Sequence, residues 1–175
     1  MNYLNLLLAL GGWMVATIQF LISFRETRRK QESELLEKTL GYFGDGPIKR
    51  SIGISLVQSI WARDAQHLSV IIPVLVAQLN YLLLEGQTES RVEERNLIRI
   101  LDLLRFHLDK ASDPRAERIE VLEALNAKLY ALDRGVPMGA TQLEVWYRDF
   151  GGDAVHWAVE RENAQDARLN TSPPA

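Results

Sequence analysis

The sequence predicts an all-α protein in which one N-terminal membrane-spanning helix continues into a helical domain. Two observations support this prediction. Residues 1–24 carry no ionisable side chain, which is typical of a segment that lies in lipid. The remaining chain repeats apolar residues at helical spacing and has no sustained alternation between hairpin turns, so a sheet is not expected.

The opening stretch is long enough for one membrane crossing. At about 1.5 Å per residue, a helix over residues 3–24 reaches about 33 Å, against a hydrocarbon core of about 30 Å. The basic residues Arg25, Arg28, Arg29 and Lys30 follow it at once. By the positive-inside rule, we expect the N-terminus outside and the rest of the chain in the cytoplasm, at a plasma (inner) membrane. A cleaved secretory signal would place its basic region first, before the apolar run.

Small and polar residues recur along the opening stretch with the spacing of a heptad seam. Small residues permit close approach of helices in lipid, and polar side chains hydrogen-bond across them. This pattern predicts a transmembrane interface with a second copy or another membrane helix. The alternatives are a plain anchor whose polar residues align by chance, and a buried helix of a soluble protein. The seam consists of Asn5, Ala9, Gly12, Ala16, Gln19 and Ser23.

Residues 25–46 form a predicted juxtamembrane helix and a glycine-rich linker. The four basic residues at its start are predicted to contact anionic lipid head groups, although they equally fit a topology signal alone. No Gly or Pro interrupts residues 25–40, whereas residues 41–47 read Gly-Tyr-Phe-Gly-Asp-Gly-Pro. This cluster is expected to end the helix and to open the domain.

Composition restricts the classes of function. The 175 residues suit one anchor and one domain of ordinary size. A net charge of -3 without a sustained basic face argues against a nucleic-acid surface. The absence of cysteine excludes disulfides, thiolate catalysis and cysteine-rich zinc sites, and it fits a reducing cytoplasm.

Residues 47–168 form the predicted all-α cytoplasmic domain, and residues 169–175 form a disordered tail. Predicted helices cover residues 48–61, 67–84, 88–108, 114–132, 141–150 and 153–164. The second of these is expected to be central and buried nearly all round, with a bend at Pro73. The helices fall into three hairpins with a period of roughly 40 to 50 residues, which in length and helix order is similar to HEAT or armadillo units. A closed bundle is the alternative.

Candidate binding residues lie at two places in the domain. Lys49, Arg50 and Ser51 begin a helix, where free backbone N–H groups favour an anion or a partner contact. The alternatives are a solvated helix start and a contact with lipid head groups. An aromatic cluster near the C-terminus is the preferred partner contact, because aromatic anchors concentrate binding energy. Its alternative role is to close the end of the helical array. The cluster consists of Trp146, Tyr147, Phe150 and Trp157.

Two Asp–His pairs, Asp64 with His67 and Asp153 with His156, have a spacing that presents two ligands on one helical face. Each Asp also stands where a helix should begin, so N-capping explains it, and two ligands are too few for a metal site. No convergent set of nucleophile, acid and base is visible. We therefore expect no metal, no cofactor, no small-molecule substrate and no enzymatic activity.

These observations together predict a single-pass, membrane-anchored helical interaction or scaffold protein. Its expected partners are the lipid bilayer and either a protein partner or a second copy of the chain. The alternative is a membrane-perturbing effector, toxin-like or phage-defence-like, whose helical domain senses a trigger.

Overall fold

A computed structural model describes the backbone of residues 3–61, 65–110 and 113–171, with side chains from residue 19 onward except residues 65, 66, 68 and 169–171. All regular structure in these ranges is helical and none is a strand, so the all-α prediction is confirmed. The helices are α1 (Tyr3–Gly41), α2 (Pro47–Leu56), α3 (Ala65–Leu84), α4 (Arg91–Leu108), α5 (Arg115–Tyr130), α6 (Ala140–Asp149) and α7 (Ala154–Thr171).

The chain divides into two compact units, Met1–Gly41 and Tyr42–Ala175. The first unit contains α1, which continues without a break past residue 24 and ends at the glycine-rich cluster, as the sequence predicts. Among the residues that the structure describes, none of the helices combines the length and the apolar character needed to cross a membrane. The transmembrane crossing stays a prediction from the sequence.

Helix α2 begins where the sequence places a proline after a glycine. Pro47 occupies the first helical turn, and Gly46 before it has a φ of 95°, which is a glycine conformation. After Leu56 the helix widens into a π-helical segment, Val57–Trp61. Segments of this kind are rare and often mark functional sites.

Helix α3 is the centre of the second unit, because it packs on both α4 and α5. Its burial is less complete than predicted. Val70, Pro73 and Tyr81 lie on an exposed stripe of the helix, since neighbouring helices cover only its other faces. The buried side chains are Ile71, Ile72, Leu75, Val76, Leu79, Leu82 and Leu83.

The other helices are arranged around this core. Helix α2 packs on α4, and both α6 and α7 pack on α5 and on each other. The main packing of α3 is thus on α4 and α5 rather than on α2, the helix with which the sequence predicts a hairpin. Tertiary contacts decide this pairing, because helices of similar apolar pattern can choose several neighbours.

Two helix starts test the capping signals in the sequence. Asp153 caps α7 as predicted, because its Oδ1 accepts hydrogen bonds from the backbone N–H groups of Val155 (2.6 Å) and His156 (3.1 Å). The predicted start of α4 at Thr88 is wrong. This helix starts at Arg91 after Ser90, whose Oγ accepts from the Glu93 N–H at 3.3 Å. The predicted cap of α3, Asp64, lies outside the described residues.

The segment between α5 and α6 returns to the C-terminal end of α3. The Val136 N–H donates to the Leu82 carbonyl at 2.8 Å. Gly135 has a φ of 59°, and a Cβ at this position would lie 2.3 Å from the Leu83 carbonyl oxygen. Glycine is therefore required by both the backbone conformation and the close approach of α3.

We predict that Gly135→Ala lowers the free energy of unfolding by about 2 kcal/mol or more, because it adds backbone strain to a steric clash. Gly139→Ala is the matched control, since no atom lies within 4 Å of the position that a Cβ would occupy there and its φ is −72°. The free energy of unfolding of the control should stay within about 1 kcal/mol of the parent value. Urea denaturation followed by circular dichroism measures both, and equal losses would contradict the assignment.

Candidate functional site

A buried ion pair joins α2 to α4. The Arg50 guanidinium bonds to the Glu93 carboxylate, and the two side chains are only 4% and 1% exposed. Arg50 Nε also donates to Gln78 Oε1 of α3 at 2.8 Å. The same guanidinium lies over the Tyr81 ring, 4.8 Å from its centroid. One arginine thus connects three helices.

This network separates the residues of the predicted anion or partner contact, Lys49, Arg50 and Ser51. Arg50 lies in the interior, where Glu93 already neutralises its charge. Lys49 lies on the surface and donates to Asp45 at 2.8 Å, and this hydrogen bond raises the pKa of Lys49. Ser51 is half-buried and faces α4. The structure does not bring the three together, and their contact with an anion stays a prediction.

A second polar contact fixes α2 against α4 near the start of α2. Asn96 Nδ2 donates to the Pro47 carbonyl at 2.9 Å. The Asn96 side chain is buried, and its Oδ1 has no hydrogen-bond partner among the described residues. An unpaired buried acceptor is costly, so this oxygen opposes part of the stability that the Asn96–Pro47 hydrogen bond provides.

Arg99 differs from Arg50 because the groups that hold it are neutral. Its guanidinium donates to Ser51 Oγ at 3.2 Å, to Ser55 Oγ at 2.9 Å and to Gln58 Oε1 at 2.5 Å. Gln58 belongs to the π-helical segment, which therefore contributes to this arrangement. Burial lowers the pKa of Arg99, because it removes part of the water that solvates the charged guanidinium.

These residues border a surface depression that we call the α2–α4 groove. Its apolar residues are Ile48, Ile52 and Leu56, and its polar residues are Ser51, Arg95 and Arg99. Two adjoining cavities of about 400 Å³ and 260 Å³ share Ile48 and Ser51, and Asn96 lines the smaller one.

Comparison of the chain with family models, curated proteins and solved structures finds no match.

The aromatic cluster of α6 and α7 is packed largely inward. The Tyr147 and Trp157 rings lie 4.8 Å apart, and the Trp146 and Phe150 rings lie 6.3 Å apart. Tyr147, Phe150 and Trp157 are buried, whereas Trp146 is partly exposed. The cluster forms the interior of the α6–α7 end of the domain, and a partner on the surface would reach only Trp146 as it stands.

The residues predicted to face lipid or a second membrane helix lie on α1. Gln19 and Ser23 of the seam are exposed, while the side chains of Asn5, Ala9, Gly12 and Ala16 are not among those that the structure describes. The predicted head-group residues are all exposed, and Arg28 forms a surface pair with Glu32 at 3.3 Å. These residues are Arg25, Arg28, Arg29 and Lys30.

The structure describes only one of the two candidate metal pairs in full. Asp153 caps α7, and Asp64 lies outside the described residues. Within the described ranges, no group of three or more His, Asp or Glu side chains could hold a metal ion. His107 is fully buried, and neither of its ring nitrogens has a hydrogen-bond partner in these ranges. Burial, followed by the positive charge of Lys110, lowers the pKa of His107.

The site residues predicted from the sequence did not include Arg95, Asn96 or Arg99. The signal was present, because Arg91, Arg95 and Arg99 recur at every fourth position of α4 and therefore share one face. Such a row usually indicates a solvated helix face. Only the neighbouring position of α2 makes it part of a groove.

We predict that Glu93→Leu alone destabilises the domain by about 3–5 kcal/mol, because it leaves Arg50 charged and buried without a counter-ion. The double variant Arg50→Met with Glu93→Leu should lose less than that single variant. The exposed pair Lys49 and Asp45 is the control, and replacing either residue with Ala should leave the free energy of unfolding close to that of the parent. Urea denaturation of the full chain measures all four variants. A double variant that loses as much stability as Glu93→Leu alone, or more, would contradict the assignment.

We predict that stability falls as pH drops below about 6.5, the usual pKa of histidine. The pKa of His107 is lower in the folded state, so the unfolded state takes up the proton first. The contribution of His107 is therefore complete above about pH 6.5 and is lost below it. His107→Leu should reduce the change in unfolding free energy between pH 7.5 and pH 5.5. An unchanged pH slope in His107→Leu would refute this.

Proposed function

We propose that this chain is a membrane-anchored α-helical interaction protein without enzymatic activity. In this proposal α1 crosses a plasma (inner) membrane once, with its N-terminus outside. The second unit lies on the cytoplasmic side and binds a protein partner, and α1 pairs with a second copy or another membrane helix. The domain acts through its surface rather than through a catalytic site.

The observation that carries the proposal is a set of exposed apolar side chains on α1. Phe20, Leu21, Ile22 and Phe24 are each more than half exposed. At about 100° per residue they spread over more than half of the helix circumference, so packing against one neighbour would not cover them. Full burial of each is worth about 1.5–3 kcal/mol. A surrounding lipid phase provides that burial on all sides.

The basic residues supply a second support. Arg25, Arg28, Arg29 and Lys30 follow the apolar set directly and are exposed. Positive charges of this kind remain on the cytoplasmic side and interact with anionic head groups, each contributing on the order of 1 kcal/mol. The uncharged sequence of residues 1–24 extends the apolar set to the length of a crossing.

The α2–α4 groove supports the interaction part of the proposal. Ile48 is 72% exposed and Ile52 is 45% exposed, although both lie on a helix that is otherwise packed on α4. Exposed apolar residues bordered by polar ones are typical of protein–protein contact sites. The Arg99 guanidinium is hydrogen-bonded to neutral side-chain oxygens, so its positive charge supplies the polar component of such a site.

We predict that the chain stays in the membrane pellet after an alkaline carbonate wash. Leu10→Arg with Val15→Arg should release it, because each arginine near the centre of a spanning helix costs about 2.5–3.5 kcal/mol. Val145→Arg with Val155→Arg is the matched control, since both positions are exposed in the second unit. This control should remain in the pellet.

Release of the parent chain, or retention of the Leu10→Arg and Val15→Arg variant, would reject the anchor. A reporter joined after Ala175 should be cytoplasmic.

A potential-sensitive dye during induced expression separates the scaffold from the membrane-perturbing effector. The proposed scaffold leaves the membrane polarised, and depolarisation would favour the effector.

A further inference from the structure

The α2–α4 groove has an unusual balance of charge within this chain. The net charge is -3, yet the groove is bordered by Arg95 and Arg99, and Arg91 lies about one turn before Arg95 on the same face of α4. None of these three arginines forms an ion pair within 4 Å in the part of the chain that the structure describes. The neighbouring acids of α4, Glu94 and Asp102, do not pair with them either. The groove is therefore a locally positive surface on an acidic protein.

The position of Arg99 is fixed before any partner arrives. Ser51, Ser55 and Gln58 hold its guanidinium through neutral oxygens. A charge that is already oriented and partly desolvated binds a counter-ion with a smaller loss of side-chain entropy and solvation. Carboxylates fit a guanidinium best, because the planar N–H groups match their two oxygens. Arg95 offers this contact, since its Nε donates to the Arg91 carbonyl while its terminal nitrogens are left for a ligand. The terminal nitrogens of Arg99 already donate to Ser51, Ser55 and Gln58, so Arg99 contributes its positive charge. The geometry thus favours an acidic ligand.

The apolar side of the groove determines how large that ligand is. Ile48, Ile52 and Leu56 are spaced by four residues along α2, so they form a stripe about 12 Å long at about 1.5 Å per residue. A free anion such as phosphate would leave this stripe uncovered. A helix with apolar residues at matching spacing covers it, as in other helix-in-groove complexes.

We propose that the α2–α4 groove binds an acidic amphipathic helix of a protein partner, whose apolar side chains cover Ile48 and Ile52 and whose carboxylates pair with Arg95 and Arg99. The two arginines stand one helical turn apart, which matches acidic residues at positions i and i+4 of the partner. A second copy that docked face to face would instead oppose two rows of arginines. This inference rests on the interaction part of the proposed function and is independent of the membrane anchor.

The test is a selection from a phage-displayed library of 16-residue peptides. The target is the full chain in nanodiscs, and the library is first depleted on empty nanodiscs. We expect enriched peptides to be acidic, with apolar residues at helical spacing. This outcome is discriminating, because the overall negative charge of the chain would enrich basic peptides if binding were non-specific.

The dissociation constant of an enriched peptide is then measured against groove variants. Arg95→Glu with Arg99→Glu should weaken binding about tenfold or more. Arg115→Glu with Arg134→Glu is the matched control, because it changes the net charge equally on exposed positions away from the groove. This control should bind as the parent does.

The single variant Arg95→Glu distinguishes a loss of binding from a loss of folding. Its side chain is exposed and donates to the backbone carbonyl of Arg91, so circular dichroism should be unchanged while binding weakens severalfold. Enrichment of basic or polar peptides, no enrichment over empty nanodiscs, or equal binding to the groove and control variants would each overturn the proposal. A carbonate wash that releases the chain would reject the anchor and leave this result intact.

Discussion

The second unit depends on a charged interaction in its interior. Arg50 of α2 bonds to Gln78, 28 residues later in α3, and to Glu93, 43 residues later in α4. Removing both charges from water is costly, and their attraction offsets this cost only when further hydrogen bonds complete the geometry. Gln78 accepts a further hydrogen bond from Arg50 and the Tyr81 ring adds a cation–π contact, whereas Glu93 Oε2 has no hydrogen-bond partner among the described residues. The main effect of the pair is therefore to fix how α2 lies against α3 and α4.

The placement of α2 has a consequence for the surface. With Arg50 and Ile54 directed inward, Ile48 and Ile52 are left outward, beside the arginines of α4. Arg50 and Arg99 then have opposite roles. The first is neutralised by a carboxylate inside the protein, whereas the second is held by the neutral oxygens of serine and glutamine side chains and keeps its charge at the groove. The buried Arg50–Glu93 network thus determines which side chains of α2 are exposed at the α2–α4 groove, although the network itself is not exposed there.

Local signals predicted much of the helical framework and little of the site. The break at Gly41, the start of α2 at Pro47 and the cap at Asp153 follow from glycine, proline and aspartate chemistry within a few residues. The burial of Arg50 depends on partners far along the chain, so it has no local signal. The inward packing of Tyr147 and Trp157 was likewise hidden, because the same aromatic spacing fits a core and a binding surface. The π-helical segment after Leu56 also has no composition signal.

The central claim is that the Arg50–Glu93 network holds α2 on α4 and so forms the groove. Hydrogen–deuterium exchange of the full chain, compared with Glu93→Gln, measures this most directly. In this variant, we expect amide exchange in α2, Pro47–Leu56, to accelerate at least about tenfold while α5 and α7 keep their protection. Unchanged protection of α2 would show that the Arg50–Glu93 network does not hold this helix on α4.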